Sequence, residues 1–273
     1  MRVGPILLLT LTCAPATVCA DPIQESLHSL YDLDFAGANR TLEAYIKANP
    51  SDPLGYAVRA SSLLFYEMHR LKILESEFFS DDKKIGGDEK LDPDPATKQR
   101  LLDAIETAQR LATMRLQKDP GDTTALFSFS ITEGVRTDYT AFVEKKQLRS
   151  LSSAKKAHNY ALELSKRDPN FTDALLTKGI HEYLVGSLPF FIKWFVKFDE
   201  TQGSKELAVV NLEKVAQKGR YFGPFARILL AIVHLREKRP EKAREELRWL
   251  TREFPHNPLF RNELTKLNKK LGG

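Results

Sequence analysis

Residues 243–255, Ala-Arg-Glu-Glu-Leu-Arg-Trp-Leu-Thr-Arg-Glu-Phe-Pro, decide how this chain folds. Ala243, Leu247 and Leu250 stand at i, i+4 and i+7, which makes one apolar stripe on a helix, and alanine marks a close approach of a second helix. Pro255 ends the helix, because the residue before a proline is pushed out of the α region. The same register returns as Ala38, Leu42, Tyr45, Pro50; as Ala108, Ala112, Arg115, Pro120; and as Ala157, Ala161, Leu164, Pro169. A fifth copy reads Ala208, Leu212, Val215, with Arg220 where proline would stand. Hydrophobic spacing of 3.6 dominates elsewhere too, so about a dozen helices and no sheet are expected. Pro53–Glu75 and Pro95–Lys118 read as long helices, with Asp52 and Asp94 as N-caps before a first-turn proline.

The register resembles the second-helix half of a tetratricopeptide repeat (TPR) unit. That resemblance implies an all-α fold, an irregular, right-handed α-solenoid of helical hairpins. It also implies a non-catalytic scaffold that holds a protein or peptide partner on its concave surface. The groove-lining candidates then come from first helices: Phe129, Thr132 and Arg136 in one, Lys178 and His181 in another. The marks at 50, 120, 169, 220 and 255 lie 70, 49, 51 and 35 residues apart. Only the last interval matches the ~34-residue TPR period, so 204–271 is the most regular part. The longest interval leaves room for a degenerate middle copy around Tyr56–Phe78, and the two near 50 for an extra helix or a long loop. The consensus Trp and Gly-Tyr of the first helix are largely missing, with Gly134 and Gly179 as the nearest echoes. Residues 187–260 bear a weaker similarity to the eukaryotic TPR family linked to inclusion-body clearance, which implies no enzymatic activity.

The first twenty residues read as a secretory signal peptide. Arg2 gives a basic start, Ile6–Leu11 an apolar run, and Val18-Cys19-Ala20 a cleavage site before Asp21. Removing them takes away both cysteines, Cys13 and Cys19, and brings the net charge from +5 to +4. An exported chain without disulfides is held by its core alone, which a single domain over 21–273 is large enough to do. The localisation expected is periplasmic or secreted, in a bacterial envelope. The near balance of charge points to no nucleic-acid partner. Ser80–Asp94, with two adjacent glycines and many charges, reads as a flexible loop.

Catalytic and metal motifs are weak. His181-Glu182 begins like a zinc-protease helix, but Val185 stands where the second histidine belongs. The six histidines (28, 69, 158, 181, 234, 256) have no ligand spacing, so neither metal nor cofactor is expected. Gly186-Ser187 lacks the pattern of a nucleophile elbow. The acidic residues of 81–94 do not have EF-hand spacing and read as a solvated loop.

The most unusual stretch is Leu188–Phe198, which holds Phe190, Phe191, Trp194, Phe195 and Phe198 with Lys193 and Lys197 on one edge. It predicts a short extra helix with a very wide apolar face. One reading makes it an internal plug against Phe225–Val233, a helix apolar nearly all round. The others make it a membrane-surface anchor or a docking face for a partner. At the chain start, the expected mature N-terminus is Asp21 on a soluble protein. Intact-mass measurement of the exported protein checks this, and a diacylglyceryl mass on Cys13 or Cys19 would overturn it.

Overall fold

The computed structural model describes residues 21–75, 91–187 and 203–272. Among the described residues it is all-helical, with eleven α-helices and no strand. They are α1 (Pro22–Tyr31), α2 (Phe35–Ala48), α3 (Pro53–Arg70), α4 (Pro95–Lys118), α5 (Thr123–Asp138) and α6 (Gln147–Arg167). Then follow α7 (Ala174–Ser187), α8 (Lys205–Lys218), α9 (Gly223–Arg236), α10 (Pro240–Glu253) and α11 (Pro258–Gly272). A single π-helical turn, Tyr139–Val143, extends α5. Each helix packs on its neighbour in the chain, and α3 also packs on α1 and α5, and α5 on α7.

The repeated register falls on α2, α4, α6, α8 and α10, the second helix of each hairpin. Its alanines and leucines are buried: Ala38, Leu42, Ala108, Ala112, Ala161, Leu164, Ala208, Val215, Ala243 and Leu250 are all 0% exposed. The alanines serve the close approach that their spacing predicts. A Cβ on Gly179 of α7 would stand 3.2 Å from the Ala208 carbonyl and 3.0 Å from Leu212, so neither helix has room for more. The third stripe residue has a further task. Its carbonyl accepts the last backbone bond of the helix in all five copies, from Asn49, Asp119, Asp168, Gly219 and Phe254, at 2.7–2.9 Å. Proline follows directly in four of them.

Where the third stripe residue is polar, it reaches forward to the cap of the next helix. The Tyr45 hydroxyl donates to Asp52, whose carboxylate caps α3 by accepting from Leu54 N–H at 3.2 Å. Arg115 Nε donates to Asp122 at 2.7 Å, and Asp122 caps α5 by accepting from Ala125 N–H at 2.8 Å. A polar residue in an apolar stripe is thus a joint between consecutive hairpins.

The fifth copy shows why Arg220 replaces proline. Asp173, 3% exposed, accepts backbone bonds from Arg220 at 2.8 Å, Tyr221 at 3.1 Å and Phe222 at 2.8 Å. A proline at 220 would have no N–H to give. In the other four copies the residue two past the proline position makes a local turn bond instead, such as Asp52 N–H to the Asn49 carbonyl at 3.1 Å.

One helix boundary differs from the sequence reading. The helix expected over Pro53–Glu75 ends at Arg70, where Lys72 turns left-handed (φ 59°) and Ile73 N–H bonds back to the Met68 carbonyl at 2.9 Å. This Schellman ending is usually marked by glycine, and here a lysine hides it. Among the described residues of the 70-residue interval, α3 packs on a 24-residue α4 as one hairpin. The 49-residue interval is filled by long helices and the π turn, without an extra helix. Of the charged stretch 80–94, the described end is tied down. Buried Glu67 accepts Asp94 N–H at 2.7 Å, and Arg70 donates to the Asp92 carbonyl at 2.5 Å.

The first described helix and the residues after it meet the C-terminal third of the chain. Asn257 donates to the Tyr31 carbonyl at 2.7 Å, His256 Nδ1 stands 2.6 Å from Asp32, and Arg220 pairs with Asp21 at 2.8 Å. Phe254, 0% exposed, is ringed by His28, Tyr31, Trp249 and Phe260. Phe65 of α3 meets Phe225 edge-on, so the first hairpins supply part of the apolar cover that α9 needs. Replacing Arg220 by Pro is expected to lower stability by about 1–3 kcal/mol, since it strips one donor from a buried carboxylate. Arg220→Ala, which keeps the N–H, is expected to stay within about 1 kcal/mol in the same urea titration.

Candidate interaction groove

α5 lies between α4 and α6, and Arg115 and the Asp122 cap fix where it starts. Phe129 is 9% exposed and stacks on Tyr160 of α6, with ring centres 4.5 Å apart at 10°. Thr132 is fully buried. Its hydroxyl donates to the Ser128 carbonyl at 2.9 Å and accepts from Gln109 of α4 at 3.2 Å. One turn on, Arg136 emerges with 39% of its side chain exposed.

Over this floor runs an open groove. One cavity of about 590 Å³ is lined by Asp103, Glu106, Arg110 and Thr113 of α4 with Phe129 and Arg136 of α5. A second, of about 340 Å³, shares Leu102 and Arg136 with it and continues past Lys98, Tyr139 and Glu144 to Arg149 and Ser153 of α6. Arg136 stands where the two join.

The electrostatics of the groove are uneven. Lys98 donates to Glu144 at 2.5 Å and Lys146 at 3.3 Å. Burial pushes the Glu144 carboxyl up, but these two ammonium groups outweigh it and hold it below its ordinary range. Glu133, 6% exposed, accepts from Gln109 at 3.0 Å through one oxygen. Its other oxygen has no hydrogen-bond donor among the described residues and lies 3.9 Å from Arg136 Nε. The π turn adds a residue to one helical turn, which brings Tyr139, Ala141 and Val143 all inward. Burial there pushes the Tyr139 hydroxyl up to about 12.

Of the five groove residues expected from sequence, Phe129 and Arg136 line this groove and Thr132 lies beneath its surface. Lys178 and His181 are on α7 and belong to the α6–α7 seam, outside the groove lining. There the His181 ring stacks on His158 at 3.8 Å and 17°. The aromatic run with Phe190, Phe191, Trp194, Phe195 and Phe198 lies outside the described residues, as do Ala20 and the segment before it. Gly186 and Gly203, which bracket the run, touch through their backbones, since a Cβ on Gly203 would stand 2.5 Å from Gly186 N. Asp21, the cleavage partner expected from sequence, caps α1 by accepting Ile23 N–H at 3.0 Å.

Among the described residues there is no cluster of three or more potential metal ligands, and no helix is long and apolar enough to cross a membrane. Gln109, Tyr160 and Arg149 were not singled out by sequence, because nothing local marks residues that meet across three helices. Arg115 did carry a signal, as a charge in an apolar stripe. No family model, curated protein or solved structure matches this chain.

Two buried histidines set an acid limit. Burial, with neighbouring charges, lowers His158 and His234 from 6.5 to about 4. The unfolded chain therefore takes up these protons first, and stability is lost as pH falls from 6.5 towards 4. The loss should reach roughly 3 kcal/mol per histidine at most. His158→Gln is expected to remove about half of that dependence in urea midpoints taken at pH 7, 5.5 and 4.5.

Proposed function

We propose that the hairpins form a TPR-like array and that the protein is a non-catalytic, exported scaffold that holds a segment of a partner protein in the α4–α5–α6 groove. The open run of surface along α5, with Arg136 at its centre, carries this reading. From Phe129 to Thr140 it extends ~17 Å at 1.5 Å per residue, room for about five residues of extended chain. An apolar floor (Leu102, Phe129) bordered by amides and guanidinium groups suits recognition of a peptide, where apolar contact supplies area and polar groups supply register. The aromatic run 188–198 supports a second role at a lipid surface only through its composition, and the groove is the better-supported site.

A photoreactive p-benzoylphenylalanine at Gln99 or Thr113, both exposed on the groove wall, is expected to cross-link one partner from an envelope fraction. The same probe at Glu43 on α2 is expected to capture nothing. Equal labelling from all three positions, or none, would remove the groove as the site.

A further inference from the structure

We infer that the edge of the molecule at which α6, α8 and α10 begin is a docking face for an anionic lipid surface. This goes beyond the groove reading and does not rest on it. Helices adjacent in the chain run antiparallel, so the α5–α6, α7–α8 and α9–α10 connections leave from one edge. Ser130 and Thr177 meet at 3.1 Å and set α5 beside α7. Tyr183 and Lys205 both donate to Glu237, at 3.0 and 2.7 Å, which sets the α7–α8 hairpin against the α9–α10 turn.

Positive charge collects along this edge. Residues 144–156 hold five basic side chains and one acidic, 203–210 one of each, and 236–242 four basic and two acidic. Between them, Lys193 and Lys197 against Asp199 and Glu200 leave that excess unchanged. Most of the acids are engaged. Glu144 accepts from Lys98 at 2.5 Å and Lys146 at 3.3 Å, Glu237 from Lys205, and Glu206 from the Ser204 hydroxyl at 3.1 Å. Buried Glu182 takes the Ser204 N–H at 3.0 Å, and burial pushes the Asp138 carboxyl up to about 7. Lys156, Lys238, Arg239 and Lys242 are exposed.

Two of the lysines sit where the backbone favours another residue. Lys145 and Lys238 are left-handed, with φ of 56° and 57°, a conformation that glycine adopts without strain. Strain kept at a turn points to function, and here it keeps a charge at the tip of each turn. Lys72 repeats the turn at α3–α4, but residues 75–94 there hold eight acidic against three basic side chains, so that end of the edge stays off the lipid.

Apolar groups accompany the charge. Six large apolar side chains are exposed among the described residues. Four of them, Leu148 at 84%, Leu184, Leu207 and Val210, lie on the first two turns of α6 and α8 or the last turn of α7. Leucines among lysines on an exposed edge suit a lipid interface, where basic groups meet anionic headgroups and leucines enter the acyl boundary. Turns spread over three hairpins meet a broad flat surface more readily than a single peptide.

The chain from Asp21, which contains every described residue, would be sedimented with phosphatidylcholine vesicles that carry or lack phosphatidylglycerol. Binding is expected only with phosphatidylglycerol present, and is expected to weaken with added salt. Lys145→Gly with Lys238→Gly is expected to weaken it about fivefold or more. The melting temperature should hold or rise in that variant, since glycine suits both turns. Leu148→Gln with Leu207→Gln is also expected to weaken binding about fivefold or more. Lys118→Gln with Lys218→Gln removes the same charge at the opposite edge, where α4 and α8 end, and is expected to leave binding within about twofold. None of these six residues lines the groove. Equal losses in the two lysine pairs, equal binding to neutral vesicles, or no vesicle binding would overturn the lipid face. So would a leucine variant that binds like the parent. Soluble polyglutamate bound as tightly as the vesicles would assign the edge to an acidic protein and overturn it too.

Discussion

One buried carboxylate holds the architecture at its most demanding joint. Asp173 takes three consecutive amides, Arg220 to Phe222, in the connection from α8 to α9. Those amides would otherwise be unpaired at a helix start, and each buried unpaired donor costs about 1–3 kcal/mol. The same three residues are also where distant parts of the chain attach. Gln24 of α1 donates to the Arg220 carbonyl at 2.7 Å, and Phe127 of α5 lies against both Tyr221 and Phe222. Without Asp173 the connection would need a turn bond of the kind the other four copies use, and the surfaces that α1 and α5 rest on would shift with it.

That dependence accounts for what the sequence disclosed. Helix content and the second-helix stripes were legible because alanine, leucine and proline act locally: spacing writes the buried face, and proline writes the stop. Arg220 in the fifth copy was visible as a departure, but its reason lies 47 residues away in Asp173, and no local pattern links them. The contacts between α1 and the start of α11 are more remote still, with Asn257 and Tyr31 separated by 226 positions. Lys72, Lys145 and Lys238 take left-handed turns where glycine would have announced the helix ends. The end of α3 was therefore misplaced by five residues.

The groove was half legible for a related reason. Phe129, Thr132 and Arg136 share one helical face, as their spacing requires. Periodicity fixes which side chains go together but not how far a neighbouring helix covers them. Gln109 closes over Thr132 and Tyr160 over part of Phe129, so only Arg136 keeps its polar end in the open. His181 and Lys178 match the same logic on α7, yet the stacking of His181 on His158 puts that face against α6.

α5 serves both tasks at once, and this ties the groove to the closure of the chain. Its Phe127 belongs to the aromatic group with Phe171, Tyr221 and Phe222, while Phe129, two residues on, belongs to the groove floor. A helix turns 100° per residue, so the two rings point to different sides of one rigid rod. Any displacement of α9 that moved Phe222 would press on Phe127 and rotate or slide α5 as a unit, carrying Arg136 with it. Loosely held loops would absorb such a shift. Here the start of α5 is fixed by Asp122 and Arg115, and its end runs into the buried π turn. The position of the central arginine is therefore set in part by contacts to Phe171, Tyr221 and Phe222, although every residue lining the groove comes from 98–153.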